Sequence, residues 1–171
     1  MPNNRQGIQV LMQHLIVTCG RTLPIFIQGD ARQSDGLLRE MAFRNELLRY
    51  NLRLPDSYLL RGDFEPRIAA EATMQFLQTG QHFDSVLAAD FQMGVAALDV
   101  LRAQGRRVPQ EIVLVGFGDG PEAAVAGMTI VAADVIELGR RGARQLLGQM
   151  NGLRIQGLTL LSTELIIRDT G

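Results

Sequence analysis

The chain has 171 residues, 46% of them hydrophobic, and 17 Lys and Arg against 18 Asp and Glu leave a net charge of −1. That length suits one domain with a substantial core, and the charge balance offers no basic stripe for neutralising nucleic-acid phosphates. No apolar run approaches the ~20 residues that cross a bilayer, and the opening Met1-Pro2-Asn3-Asn4-Arg5 lacks the apolar core of a signal peptide, so a cytoplasmic protein is expected. Cys19 has no second cysteine to pair with and reads as a small buried hydrophobe.

The elements follow in chain order. Residues 6–19 carry Ile8, Leu11, Met12, Leu15 and Ile16 at helical spacing, with His14 expected as a partly exposed residue of that helix. Residues 23–27 predict a buried strand. Ser34 and Asp35 can cap a helix bearing Leu38, Met41 and Leu48. Residues 57–60 predict a second strand, and Pro66 suits the first turn of a helix that buries Ile68, Ala72, Phe76 and Leu77. A third strand at 85–89 precedes a helix at 91–104, and a fourth strand lies at 112–115. After a glycine-rich loop come a strand at 129–132, a helix at 135–150 and an alternating strand at 158–167. Strands alternating with helices predict an α/β fold, a parallel sheet between two helical layers.

In such sheets ligands bind beyond the carboxyl ends of the strands. Those ends read Gln28-Gly29-Asp30, Gly62-Asp63-Phe64, Ala88-Ala89-Asp90 and Phe117-Gly118-Asp119. Carboxylates accept hydrogen bonds from hydroxyls, and an aromatic face packs on the C–H face of a sugar or a purine. Each aspartate also has a plain structural role available, since Asp90 can cap the helix that follows and Asp63 and Asp119 can shape turns. Enzyme signatures are missing: there is no GxxxxGK[ST], no GxSxG and no HExxH. Pro121 stands where a dinucleotide loop needs its third glycine, and the acidic strand ends lack the nucleophile-plus-lysine set of a Mg²⁺ site. A non-enzymatic binding domain without cofactor or metal is therefore expected.

The run from Ser85 to Phe117, SVLAADFQMGVAALDVLRAQGRRVPQEIVLVGF, resembles the LacI/GalR transcriptional regulators, where a strand ending in Asn-Asp and a small-residue helix precede G-x-x-V-P-x-D-I-x-V-V-G-F-D-D. Asn3 to Gly7, Arg39 to Phe43, Arg61 to Pro66, Met128-Thr129, Glu137 to Gly139 and Ser162 to Asp169 match further family elements in order, so the resemblance covers nearly the whole chain. It implies a periplasmic-binding-protein-like clamp of two lobes behind a helix-turn-helix headpiece. The chain then supplies the second lobe (about 1–130 and 158–171), a segment at about 134–157 belongs with the first lobe, and that lobe is mostly missing together with the headpiece. The implied function is allosteric sensing of a small molecule, a sugar or sugar acid, with DNA bound only through the absent headpiece. The alternatives from other classes are a sensor module of a diguanylate cyclase or histidine kinase, and a transport-type sugar-binding protein.

Carried over residue by residue, the resemblance places Arg39 at an arginine that bonds ligand oxygens and Phe64 at the aromatic that packs on ligand, with Asp63, Asp90, Gly118 and Asp119 as further site candidates. Three positions depart: Ala89 stands for the usual Asn, Gly118 for an Asp that binds hydroxyls, and Ala133 for a polar residue. GFGD is similar to the gluconate-type branch, and Arg39 as the matched cation predicts acidic sugars over neutral ones. A homodimer or larger oligomer is expected, with the helix at 135–150 or the last strand at the contact or exchanged between chains.

Overall fold

The computed structural model describes residues 1–152 and 160–171. Six strands form one sheet: β1 (Pro24–Gln28), β2 (Leu59–Arg61), β3 (Ser85–Ala88), β4 (Val113–Phe117), β5 (Thr129–Ala132) and β6 (Glu164–Ile166). Their order is β2-β1-β3-β4-β5-β6. The first five run parallel and β6 pairs antiparallel with β5, so the parallel sheet read from the sequence gains an antiparallel edge. Two helical layers cover it, α1 (Asn4–Gln13) with α2 (Ser34–Arg49) on one side and α3 (Pro66–Gln78) with α4 (Phe91–Ala103) on the other. Covered on both faces, the central strands have no reason to alternate, and β3 and β4 are buried throughout.

Local chemistry explains the helix starts. Asn3 accepts the N–H of Gln6 at the head of α1, Asp90 accepts those of Gln92 and Met93 at α4, and Pro66 opens α3 where its missing N–H costs nothing. A short helix absent from the sequence reading, α5 (Pro121–Ala126), starts at Pro121 after the glycine-rich loop. The C-terminal tail is sewn beneath β4 and β5 by Thr170, a fully buried side chain that accepts from Thr129 N–H and donates to the Leu114 carbonyl.

Several expectations change. The strand expected at 57–60 is a single 3₁₀ turn, Asp56–Tyr58, followed by β2. The last strand is confined to Glu164–Ile166, and residues 158–159 of the expected run lie outside the described residues. The helix read at 6–19 relaxes after Gln13 into a π turn, His14–Thr18; His14 is buried rather than partly exposed, while Cys19 is only half-buried, its Sγ 3.5 Å from His14 Nε2.

The largest revision concerns α2. Ser34 is its first residue, not its cap, and Gln33 at the cap position makes no side-chain capping bond. Leu38, Met41 and Leu48 lie exposed, while Gly36, Arg39, Ala42 and Phe43 face inward. Two contacts set that rotation: Phe43 stacks on Phe26 of β1 at 4.5 Å, and Arg39 finds acceptors beneath the helix. An inward arginine cannot be seen from apolar periodicity.

α6 (Val135–Met150) is capped by Asp134 and has no buried residue at all. Val135, Ile136, Leu146, Leu147 and Met150 are all more than half exposed. No helix among the described residues is long and apolar enough to cross a membrane.

Candidate functional site

The order β2-β1-β3-β4-β5 reverses direction between β1 and β3, and a crevice opens at such a switch point beyond the carboxyl ends of the strands. Arg39 spans it. From α2, its Nε donates to Asn4 Oδ1 at 2.8 Å, its Nη1 to the Ala89 carbonyl at the exit of β3 at 2.6 Å, and its Nη2 reaches Asp35 Oδ2 at 3.5 Å. The guanidinium carbon lies 3.8 Å from the centroid of Phe117 at the end of β4 and 5.9 Å from that of Phe64. Arg39 is 7% exposed. Burial pulls its pKa below the ordinary arginine value, with Asp35 and Asp90 opposing, and a guanidinium stays charged throughout.

Between the strand ends and the start of α6 lies a cleft of about 570 Å³. Arg39, Asp90, Gly118 and Asp119 border it. Asp63 and Phe64 lie at the same edge but outside the lining. Asp63 pairs with Arg61, and the Phe64 ring is laid against Gly29, so closely that a Cβ there would fall 2.3 Å from its Cζ. Phe91, absent from the residues singled out in the sequence, does border the cleft, as do Asp134, Glu137, Arg141 and Glu164. Their strand-end or helix-start positions could have flagged Asp134 and Phe91. The other three lie beyond the segments in which the strand-end rule looks.

The lining is acidic. Among the described residues five carboxylates border the cleft (Asp90, Asp119, Asp134, Glu137 and Glu164) against the guanidinium groups of Arg39 and Arg141. Burial pushes the Asp90 carboxyl up, although the N–H groups of Gln92 and Met93 and the Arg39 charge resist. Asp119 is held low by Arg168, which donates to both its oxygens at 3.0 and 2.8 Å. With its folded-state pKa depressed, that pair contributes stability at neutral pH and loses it as the pH falls below the usual carboxylate range. Glu137 is lowered by Arg141 and Arg140 in the same way. Arg39, the basis for expecting a sugar acid, already commits its donors to Asn4, Ala89 and Asp35, so its charge faces an incoming anion less directly than the sequence suggested.

Three passes of chain meet at the mouth of this cleft. Asn3 N–H donates to the Leu161 carbonyl, Leu161 N–H donates to the Met1 carbonyl, and Ala132 pairs with Glu164. Pro2, Ala132 to Asp134, and Leu161-Ser162 all border the same space.

Residues 13–170 match the periplasmic binding protein-like domain. The chain belongs to that family. Within it, the relatives are LacI-type regulators. The chain is similar to the HTH-type transcriptional regulator CelR of Thermobifida fusca, 33% identical over 99% of this chain and 50% of that protein. Among solved structures it is similar to a transcriptional regulator CelR–cellobiose complex, with 31% identity, a TM-score of 0.86, and coverage of 98% of this chain and 51% of that one. The lac repressor dimer bound to operator and the anti-inducer ONPF has a TM-score of 0.89 at 24% identity, over 99% of this chain and 59% of that one, and it supports the fold alone. The chain spans about half the length of CelR. The resemblance read from the sequence is thus correct, as is the α/β lobe it implied.

Proposed function

We propose that this chain is the effector-sensing lobe of a LacI-type transcriptional regulator and that its effector is a neutral sugar. The observation that carries the proposal is the acidic cleft at the sheet's switch point, in which carboxylates outnumber guanidinium groups. Hydroxyl donors suit such a lining, because the carboxylate oxygens that arginine does not already hold accept charge-assisted hydrogen bonds. A carboxylate ligand would sit among like charges, which disfavour its ionised form and cost several kcal/mol where water is displaced. The likeness to a regulator solved with cellobiose supports a neutral glycoside.

The mechanism follows from the geometry at the mouth. The three chain passes there act as the hinge, and α6 packs in a first lobe that closes over the sugar. Its bare apolar side chains, each worth about 1.5–3 kcal/mol when buried, supply a reason for that packing. Closure is then transmitted to a DNA-binding headpiece in a homodimer. The protein carries out no chemistry on its ligand.

Calorimetry on the full-length protein tests the ligand class. Cellobiose or a related neutral disaccharide binds with a dissociation constant in the micromolar range, and gluconate and glucuronate bind at least about tenfold more weakly, a difference of ~1.4 kcal/mol. Tighter binding of the acids would overturn the neutral-sugar assignment and restore Arg39 as an anion receptor.

A further inference from the structure

Among the described residues two aromatic rings border the cleft, Phe91 and Phe117, and they are not equivalent. Phe117 is buried and in close contact with its neighbours. A Cβ at Gly7 would fall 2.3 Å from its Cε2, and the Arg39 guanidinium carbon lies 3.8 Å from its centroid. Phe91, the first residue of α4, is half-buried. Its ring is backed by the loop after β4: a Cβ at Gly118 would fall 3.2 Å from Cδ1, and one at Gly120 would fall 2.6 Å from Cζ. Gly118 has φ +89°, a conformation that disfavours any side chain. The loop is itself held rigid by the two bonds from Arg168 to Asp119, and the start of α4 by the Asp90 cap.

We propose that Phe91 is the specificity-determining platform of the cleft, and that it crowds the space a side chain at 118 would enter. This rests on the neutral-sugar proposal. With no side chain at 118, the pocket presents an aromatic face, fixed in place before ligand arrives, on which the C–H face of one sugar ring packs. Asp90, one residue away, sits at the rim of that platform as a hydroxyl acceptor. Such a site selects sugars with an uninterrupted apolar face, such as β-linked glucosides, and disfavours those with an axial hydroxyl on that face. The glycine and the ring are one device: neither substitution alone recreates the other kind of pocket.

The test is calorimetry of cellobiose, with a lactose comparison, on the full-length wild type, Phe91→Ala, Phe91→Trp, Gly118→Asp and the Phe91→Ala/Gly118→Asp double variant, with unfolding temperatures recorded for each. Phe91→Ala weakens cellobiose about tenfold or more, and Phe91→Trp retains it within roughly threefold. Gly118→Asp also weakens binding, and the double variant is less impaired than the two single losses multiplied together, because the alanine makes room for the aspartate. A folded Phe91→Ala that binds like wild type, or strict additivity in the double variant, overturns the inference while leaving the neutral-sugar proposal standing. Failure of the wild type to bind any neutral sugar overturns both.

Discussion

Replacing Arg39 by alanine is expected to lower the unfolding temperature by about 6–20 °C and to abolish effector binding. The side chain is buried and bridges three elements through Asn4 of α1, Asp35 of its own helix and the Ala89 carbonyl after β3. Its removal leaves a buried carbonyl and a buried amide oxygen without donors and takes the cover from one side of Phe117. Breaking such a buried charged network costs about 3–5 kcal/mol, and each kcal/mol moves the midpoint of a domain of this size by roughly 2–4 °C. Arg39→Lys keeps the charge but has neither the planar fork nor the stacking face, so it recovers less than half of the loss. Differential scanning calorimetry with a parallel sugar titration reads both effects. An alanine variant as stable as wild type would show that the arginine is not the keystone of the crevice.

Gly36→Ala is expected to cost about 2 kcal/mol and to weaken effector binding about tenfold. The added Cβ would stand 2.4 Å from the Asp30 carbonyl oxygen, with the carbonyl carbon and amide nitrogen of Asp30 at 2.9 and 3.1 Å. All three are backbone atoms, and the loop that carries them cannot retreat freely because Phe64 is pressed against Gly29. The strain is relieved by shifting α2, which carries Arg39 one turn along the same inward face. Overpacking of this kind costs about 1–3 kcal/mol. Gly139→Ala in α6 is the natural control. Among the described residues nothing lies within 4 Å of its Cβ, and helix propensity favours the alanine by up to about 1 kcal/mol. Opposite signs for the two substitutions in thermal unfolding bear out the packing argument, whereas a neutral Gly36→Ala would refute it.

Much of the architecture was legible because the signals are local. Pro66, the Asp90 cap and the alternation of short apolar runs with helical stripes mark elements without reference to the rest of the chain. The strand-end rule brought Arg39's neighbours Asp90, Gly118 and Asp119 to one cleft, since parallel strands share an end. What escaped depends on contacts distant in sequence. The rotation of α2 is set by Phe26 and by acceptors on α1 and after β3, so the leucines that looked like a core stripe point outward. Phe64 is laid against Gly29, a residue far from it in sequence, although the turn that holds it looks like a ligand loop. Phe91 was masked by its neighbour, because Asp90 accounts for the start of α4 so well that the next side chain attracts no notice. Arg39 is one charge among several, and the cleft's balance is a property of residues spread from Arg39 to Glu164.

The sharpest check on a neutral sugar binding in the acidic cleft, at the carboxyl ends of the strands, is amide hydrogen exchange of the full-length protein with and without saturating cellobiose. Slowed exchange is predicted at residues 90–93, 117–120 and 133–137, with no change in the loops at 20–23, 80–84 and 106–112 at the opposite end of the sheet. Protection confined to that opposite end, or gluconate protecting the cleft where cellobiose does not, would contradict it.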